Sequence, residues 1–140
     1  MGLCQMDLGA YKKIRAVEKV SKVPSETYEQ IKLVLWLEKM GLRFYAVPNG
    51  GSRPIVEAVK FKRSGVKAGV PDLCLPFPSV SYHGLYIELK RVVGGKVSPE
   101  QREWIEYLNG AGYYAVVCKG FEAAKKAVEF YLGLGGKIVA

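Results

Sequence analysis

The segment GLYIELKR, residues 84–91, has the alternation of a β-strand with two chemically different faces. Because alternate side chains of a strand share a face, Tyr86, Glu88 and Lys90 point one way and the aliphatic residues between them point the other. We expect the aliphatic face to enter the core. A carboxylate and an ammonium group are costly to bury in an apolar strand unless they bind something. The segment therefore predicts a core strand that carries one side of a functional site.

Turn signals and hydrophobic periodicity divide the rest of the chain into further elements around this strand. The first helix begins at Pro24 or Ser25 and ends before Gly41, a natural helix stop. The main elements follow in the order helix, three strands, helix, strand, helix, which predicts an α/β fold with a mixed sheet covered by helices on both faces. The expected elements are helices at 25–40, 54–63, 98–110 and 121–132 and strands at 42–47, 73–75, 84–91 and 113–118.

The composition is that of one globular domain with a basic surface. The 140 residues are 49% hydrophobic and carry a formal net charge of +8. Such a charge favours polyanionic partners, because Lys and Arg release the counterions condensed on phosphates. No apolar run approaches the roughly 20 residues that a membrane span needs, so we expect no membrane partner and a cytoplasmic location. Residues 1–23 predict a basic arm or short helix, and residues 135–140 predict a tail.

The few cysteine and histidine residues bear on any metal that the chain binds. The three cysteines are widely spaced and His83 is the only histidine, which argues against a zinc site. Cys74 and Cys118 lie in apolar runs and are expected to be buried, inert thiols. A catalytic metal would have to be held by carboxylates, and this predicts Mg²⁺ or Mn²⁺.

Asp72 lies at the lip of a short apolar strand, where it can join Glu88 and Lys90 in one site. Two carboxylates can hold a divalent cation that polarises a phosphate and lowers the pKa of a bound water. A lysine beside them can orient that water and stabilise the charge that develops on phosphorus. These residue types predict a phosphodiesterase. The alternative is an ordinary surface pair of Glu88 and Lys90 beside a turn aspartate.

The first helix carries a candidate third acid. At about 100° per residue, Glu26 shares an inward face with Gln30, Leu33 and Leu37, whereas Glu29 lies well off that line. Glu26 could reach the metal or orient a water, or it could be a first-turn acid favoured by the helix dipole. Which of the two glutamates is the helix-borne acid stays open at this point.

The segment at 98–101 has the pattern of a capping box, with Ser98 as the N-cap and Gln101 three residues later. Gln101 also lies on the same side of its helix as Trp104, so it faces the sheet that bears Glu88. We expect Gln101 to cap the helix, and from there it could contact the site.

Two further segments are candidates for substrate contact. Asn49 and Gly50 lie in a turn whose backbone can approach a phosphate closely, and Arg53 can grip a phosphate through two hydrogen bonds. The alternative is a turn that ends a strand, with a solvated arginine. His83 is either a site residue or a loop residue without a role. The sequence shows no stacking platform of the kind used by RNA-binding proteins. Other candidate backbone contacts are Lys60, Lys62, Arg63 and Lys67.

Several ordered segments match a known family from about Glu26 to Leu132. They are Glu26-x-x-x-Gln30, Pro48-Asn49-Gly50-Gly51-x-Arg53, Gly65-Val66-x-Ala68-Gly69-Val70-Pro71-Asp72-Leu73, Tyr82-His83-Gly84-Leu85-Tyr86-Ile87-Glu88-Leu89-Lys90, Gly94-Gly95-Lys96-Val97-Ser98-Pro99-Glu100-Gln101 and Gly112-Tyr113-x-Ala115-Val116-Val117-Cys118. The chain resembles the stand-alone, phage-type members of the VRR-NUC family, within the PD-(D/E)xK nuclease superfamily. The resemblance implies a nuclease domain over 24–134 with a restriction-endonuclease-like αβββαβ core and flanking helices.

The resemblance also implies hydrolysis of DNA with Mg²⁺ or Mn²⁺. In this chain it implies Asp72 and Glu88 as metal ligands and Lys90 as the catalytic lysine. It further implies Glu26 as the helix-borne acid and metal ligand, and Gln101 as an additional site residue.

Similar stand-alone proteins imply a structure-selective endonuclease that acts on branched or junction DNA as a homodimer, with a Holliday-junction resolvase as one form of it. A two-fold dimer would present two equivalent sites to the symmetric strands of a four-way junction. Two alternatives stay open, a flap- or end-directed nickase or exonuclease and a non-catalytic nucleic-acid-binding or anti-restriction protein on the same fold. The intact set of Asp72, Glu88 and Lys90 argues against the second, since binding alone would not need it.

Overall fold

The computed structural model describes residues 23–48 and 53–133. The expectations for the basic arm, for Asn49 and Gly50, and for the tail at 135–140 fall on residues outside these ranges, except at Val23. Within the described ranges the predicted helices and strands are confirmed, in the predicted order. They are α1 Glu26–Lys39, β1 Tyr45–Ala46, α2 Ile55–Arg63, β2 Leu73–Leu75, β3 Leu85–Lys90, α3 Pro99–Gly110, β4 Tyr114–Lys119 and α4 Gly120–Gly133.

The first strand is the element that differs most from its prediction, because it has two residues where six were expected at 42–47. Gly41 has a φ of +69°, and the Leu42 amide donates to the Leu37 carbonyl at 3.1 Å. The first residue of the expected strand therefore serves to close the end of α1. At the other end, the Val47 amide still donates to the Asp72 carbonyl at 2.8 Å, one residue beyond the assigned strand.

The strands form one mixed sheet in the order β1-β2-β3-β4 across the described residues. The β1–β2 and β2–β3 pairs are antiparallel, whereas β3 and β4 are parallel and joined through α3. The predicted mixed α/β fold is confirmed. Strand β3 is hydrogen-bonded on both edges, so the two-faced segment of the sequence lies inside the sheet.

The hydrophobic core lies on the face of the sheet that α1 and α4 cover. Leu85, Ile87 and Leu89 of β3 are buried there against α1 and α4, as the alternation predicted. Cys74 and Cys118 are buried thiols, also as predicted, and burial raises the pKa of Cys118 to about 11. Helix α3 lies on the opposite face, so helices cover both sides. No helix within the two described ranges is long and apolar enough to span a bilayer.

Candidate active site

The register of the sheet brings the predicted acids together. Leu73 of β2 pairs with Ile87 of β3 in antiparallel register. One residue further along the same register, Asp72 stands opposite Glu88, and side chains opposite each other in such a pair share a face with Cβ atoms about 5 Å apart. Lys90 follows two residues after Glu88 on that face. We call Asp72, Glu88 and Lys90, the residues predicted to be catalytic, the catalytic row.

Glu88 is the most constrained member of the row. Glu88 is only 1% exposed. Its Oε1 accepts a 2.6 Å hydrogen bond from Gln101 Nε2 and lies 3.2 Å from Lys90 Nζ. Its Oε2 is buried without a hydrogen-bond partner among the described residues. Burial and the negative charge of Asp72 raise the pKa of Glu88 to about 7, although the hydrogen bond and the charge of Lys90 act in the opposite direction. The carboxylate thus lacks part of the positive charge and hydrogen bonding that its burial requires.

Asp72 is oriented by the backbone of β3. Its Oδ2 accepts a 2.7 Å hydrogen bond from the Leu89 amide. Burial raises the pKa of Asp72, while this hydrogen bond and the charge of Lys90 act in the opposite direction. The two carboxylates therefore face each other across β2 and β3 with their charges only partly compensated.

Gln101 both caps α3 and contacts Glu88, as the sequence suggested. The backbone N–H of Gln101 donates to Ser98 Oγ at 3.2 Å, and the side-chain Oε1 of Gln101 accepts from the backbone N–H of Ser98 at 2.9 Å. These two hydrogen bonds form a complete capping box. The same side chain uses its Nε2 to hold Glu88. The capping box therefore fixes the side chain whose Nε2 orients the Glu88 carboxylate.

Gly69 joins the loop before Asp72 to the start of α3. Its φ is +88°, and a Cβ at this position would lie 2.5 Å from the Glu100 carbonyl carbon and 2.8 Å from the Gln101 amide nitrogen. Only glycine fits this close approach of two backbones. Nothing local in the sequence signals this contact between Gly69 and α3.

The two glutamates of α1 have different environments. Glu29, predicted to lie off the inward face, is only 5% exposed, and its Oε2 accepts a 2.5 Å hydrogen bond from the Phe121 amide in the first turn of α4. That prediction was wrong, because an amide without a helical partner at the start of α4 draws the side chain inward. Glu26 is half-buried, and its charge raises the pKa of both Asp72 and Glu88. Glu26 is thus the acid of α1 whose charge acts on both carboxylates of the catalytic row.

Comparison with known proteins shows which family the chain resembles in sequence and in structure. The sequence profile of the VRR-NUC domain matches residues 17–122 of the chain. The chain belongs to the VRR-NUC family. A solved structure described as a VRR_NUC domain protein is 35% identical and superposes with a TM-score of 0.70, over 79% of this chain and 90% of that one. No curated protein sequence matches the chain. The fold is therefore of the nuclease type found in VRR-NUC domains.

Two residues near the row of this VRR-NUC domain were not predicted from the sequence. Arg91, directly after β3, donates from Nη2 to the Val23 carbonyl at 3.0 Å and so ties the segment before α1 to the end of the strand. Lys119 pairs with Lys90 in the parallel β3–β4 register and is exposed. Both contacts join residues far apart in sequence. The Arg91 contact has no local sequence signal, and the only signal for the pairing of Lys119 with Lys90 is a lysine at the end of the last strand.

Two of the candidate substrate-contact residues, Arg53 and His83, contact aromatic rings. The Arg53 guanidinium stacks over the Phe61 ring at 4.2 Å. His83 is exposed, and its ring contacts Tyr113 edge-on with 5.6 Å between the centroids. The exposed basic residues of α2 and the loop after it are Lys60, Lys62, Arg63 and Lys67.

The residues present fit a hard divalent cation held by two carboxylates. Within residues 23–48 and 53–133, no group of three or more His, Cys, Asp or Glu side chains could hold a metal ion. Glu26 therefore influences the row through its charge and is not part of a three-ligand group. Mg²⁺ is commonly held by one or two carboxylates, with water and substrate phosphate as the other ligands. The unpartnered Glu88 Oε2 beside Asp72 matches that requirement.

Proposed function

We propose that this VRR-NUC chain is a metal-dependent endonuclease that hydrolyses phosphodiester bonds in DNA. The observation that carries the proposal is the buried Glu88 Oε2 without a partner, next to a second carboxylate and a lysine. A structural ion pair would satisfy both carboxylate oxygens, because an unsatisfied buried charge destabilises the fold. A site that awaits a cation leaves one oxygen open.

Each residue of the row has a distinct role in the proposal. Asp72 and Glu88 hold Mg²⁺ or Mn²⁺, with Glu26 as an additional acid from α1. The bound ion supplies Lewis acidity and a lowered pKa for water at neutral pH. Lys90 Nζ, close to Glu88 Oε1, donates hydrogen bonds to the attacking water or to a phosphate oxygen and stabilises negative charge as it develops. Gln101 keeps the Glu88 carboxylate in one orientation.

DNA binding in the proposal involves the basic surface. Helix α2 has no buried residue in the structure, and its last turn carries Lys60, Lys62 and Arg63. These side chains, with Arg53 and Lys67 and with Asn49 and Gly50 earlier in the chain, contact the phosphate backbone. Affinity should then fall steeply with salt, because phosphate contacts release counterions.

The finer features stay within the proposal. We propose branched or junction DNA as the substrate and a homodimer in the cytoplasm as the acting form, with resolution of Holliday junctions as one outcome. A nickase or exonuclease directed to flaps or ends, and a non-catalytic nucleic-acid-binding or anti-restriction protein, are the competing functions that the experiment separates.

The test is cleavage of end-labelled four-way junction, flap, fork, linear duplex and single-stranded DNA, with Mg²⁺, Mn²⁺ or a chelator. We expect metal-dependent cleavage that favours branched substrates. Lys90→Ala should lose at least about 100-fold in cleavage rate and still bind DNA, because the lysine stabilises charge in the transition state.

Lys126→Ala is the matched control, since Lys126 is exposed on α4, the helix that covers the opposite face of the sheet. It should cut at the wild-type rate. Full activity of Lys90→Ala or Asp72→Ala would contradict the assigned row. Binding without cleavage by the wild-type protein under every metal condition would favour the non-catalytic function.

A further inference from the structure

Aromatic side chains continue the face of the sheet that carries the catalytic row. Tyr45 pairs with Cys74 and Cys74 pairs with Tyr86, so these three side chains share one face. Tyr86 precedes Glu88 by two residues and lies on the same face as it. Tyr113 lies two residues before Ala115, which pairs with Tyr86 in the parallel register. We call Tyr45, Tyr86, Tyr113 and the adjoining His83 the aromatic strip.

The members of the strip touch one another. The Tyr86 and Tyr113 rings meet edge-on with 5.4 Å between their centroids, and His83 meets Tyr113 edge-on at 5.6 Å. A hydrogen bond with the Cys74 thiol raises the pKa of Tyr45, and burial followed by the same thiol raises that of Tyr86. Tyr45 and Tyr86 thus flank Cys74 on this face. The strip is therefore a continuous surface.

The strip remains open to solvent. Tyr45 is 49% exposed, His83 is exposed, and Tyr86 and Tyr113 are half-buried. A second aromatic group, which includes Tyr82, packs around Tyr131 on the core face, where Tyr131 is only 1% exposed. This second group centres on a ring buried in the core, whereas the strip lies on the face that carries the catalytic row.

The strip lies one pleat away from the catalytic row. Tyr86 and Glu88 are two residues apart in β3, which is about 7 Å along the strand. This separation is short enough for a single nucleotide to join a base on the strip to a phosphate at the row. Helix α3 approaches the sheet at Ala115, the β4 residue that pairs with Tyr86. There Asn109 Nδ2 donates to the Ala115 carbonyl and Asn109 Oδ1 accepts from the Ala115 N–H, both at 3.0 Å.

An unpaired nucleobase is the ligand whose chemistry fits this surface. Every base has a flat π-face that stacks on tyrosine or histidine without regard to sequence. The bases of an intact duplex are already stacked on each other and cannot reach such a strip. We propose that the aromatic strip binds an unpaired base next to the scissile phosphate. The preferred substrate is then DNA with single-stranded nucleotides at the cut, and this inference rests on the proposed nuclease function.

The test measures binding apart from cleavage. A short fluorescein-labelled single strand and a blunt duplex are titrated with metal-free protein in chelator, and binding is followed by fluorescence anisotropy. Tyr45→Leu should weaken single-strand binding about 5- to 100-fold, as expected for the loss of one stacked base, and should leave duplex binding unchanged. Tyr45→Phe, which keeps the ring and loses the hydroxyl, should bind like wild type.

Tyr107→Leu is the matched control, because Tyr107 is 65% exposed on α3 and is not part of the strip. It should bind both DNAs like wild type. A second readout is 2-aminopurine placed in the single strand, whose fluorescence should be quenched by wild-type protein and less so by Tyr45→Leu or Tyr113→Leu.

The outcomes separate the strip from the nuclease proposal. Unchanged single-strand binding by both leucine variants, or absence of quenching with wild type, would overturn the strip. An equal loss on single strand and duplex would also overturn it, because it would indicate a general electrostatic or folding defect. Wild-type protein that binds and quenches but never cuts would leave the strip in place and refute the nuclease function.

Discussion

Over residues 87–90 the two faces of β3 are almost equally buried and chemically opposite. Ile87 is 0% exposed and Leu89 is 1% exposed on the core face, while Glu88 is 1% and Lys90 is 6% exposed on the other. The first face meets α1 and α4, and the second meets α3 through Gln101. Burial alone therefore does not distinguish a packing surface from a functional one, whereas the character of the buried groups does.

The difference lies in what burial does to the free energy of folding. Removing apolar surface from water stabilises the fold by about 25 cal/mol per Å². Burying a carboxylate costs free energy unless charge and hydrogen bonds compensate, and at Glu88 one oxygen stays without a partner in the described structure. The core face thus stabilises the domain, whereas burial of the acids on the opposite face costs part of that stability.

The largest expected effect on stability is on the core face. Ile87→Ala should lower the free energy of unfolding by about 2–5 kcal/mol, because it leaves a cavity where α1 and α4 meet the sheet. Glu88→Gln, the neighbouring change on the other face, should not lower it at pH 8 in chelator, since it removes an under-compensated charge. Urea unfolding followed by circular dichroism measures both.

Activity should show the reverse pattern. Below its unfolding transition, Ile87→Ala should retain DNA cleavage within about tenfold, and Glu88→Gln should lose it. If Glu88→Gln were instead the more destabilised protein at pH 8, the row would be a structural ion pair and the contrast between the faces would fail.

A smaller effect is expected where the two sides of the site are joined. Gly69→Ala and Gly65→Ala both force an L side chain to a positive φ, which costs about 1–3 kcal/mol. Only at Gly69 would the new Cβ also collide with the backbone of Glu100 and Gln101, whereas at Gly65 nothing lies within 4 Å. Gly69→Ala should therefore be the less stable protein, and its cleavage rate should fall even at temperatures where it is folded.

Thermal unfolding and cleavage assays of the glycine pair separate strain from contact. Equal stability and equal activity of the two variants would mean that the contact between Gly69 and α3 does not position Asp72 and Gln101.

The smallest expected effect is a pH dependence of the metal-free protein. The pKa of Glu88 is raised from 4.5 to about 7, so between these values the folded state binds more protons than the unfolded state. Stability should consequently fall as the pH rises from about 4.5 through 7, by a few degrees in Tm, and level off above that. Asp72, whose pKa is also raised, contributes in the same direction.

Differential scanning calorimetry in chelator tests this slope. Glu88→Gln should flatten it, and millimolar Mg²⁺ or Mn²⁺ should raise Tm most at the alkaline end, where the carboxylates are charged. A Tm that rose steadily from pH 4.5 to 8 in the absence of metal would contradict the assigned burial of the two acids.

Local sequence was enough for the elements and for most of the catalytic row. Ser98 and Gln101 specify the start of α3, since the capping box is completed within four residues. The alternation in β3 correctly separated the buried aliphatic face from the face of Glu88 and Lys90. Asp72 was found because it directly precedes the short apolar strand β2, which lies beside β3. In each case the physical cause acts between neighbours in the chain.

What the sequence alone determined is therefore the order of elements, the two-faced strand and the net charge of +8. Only the tertiary structure decided which glutamate of α1 faces the site, because the Phe121 amide that binds Glu29 lies 92 residues away. It also decided that Gly69 must be a glycine and that Tyr45, Tyr86 and Tyr113 form one surface. These features depend on contacts between distant segments, and such contacts have no local periodicity from which they could be predicted.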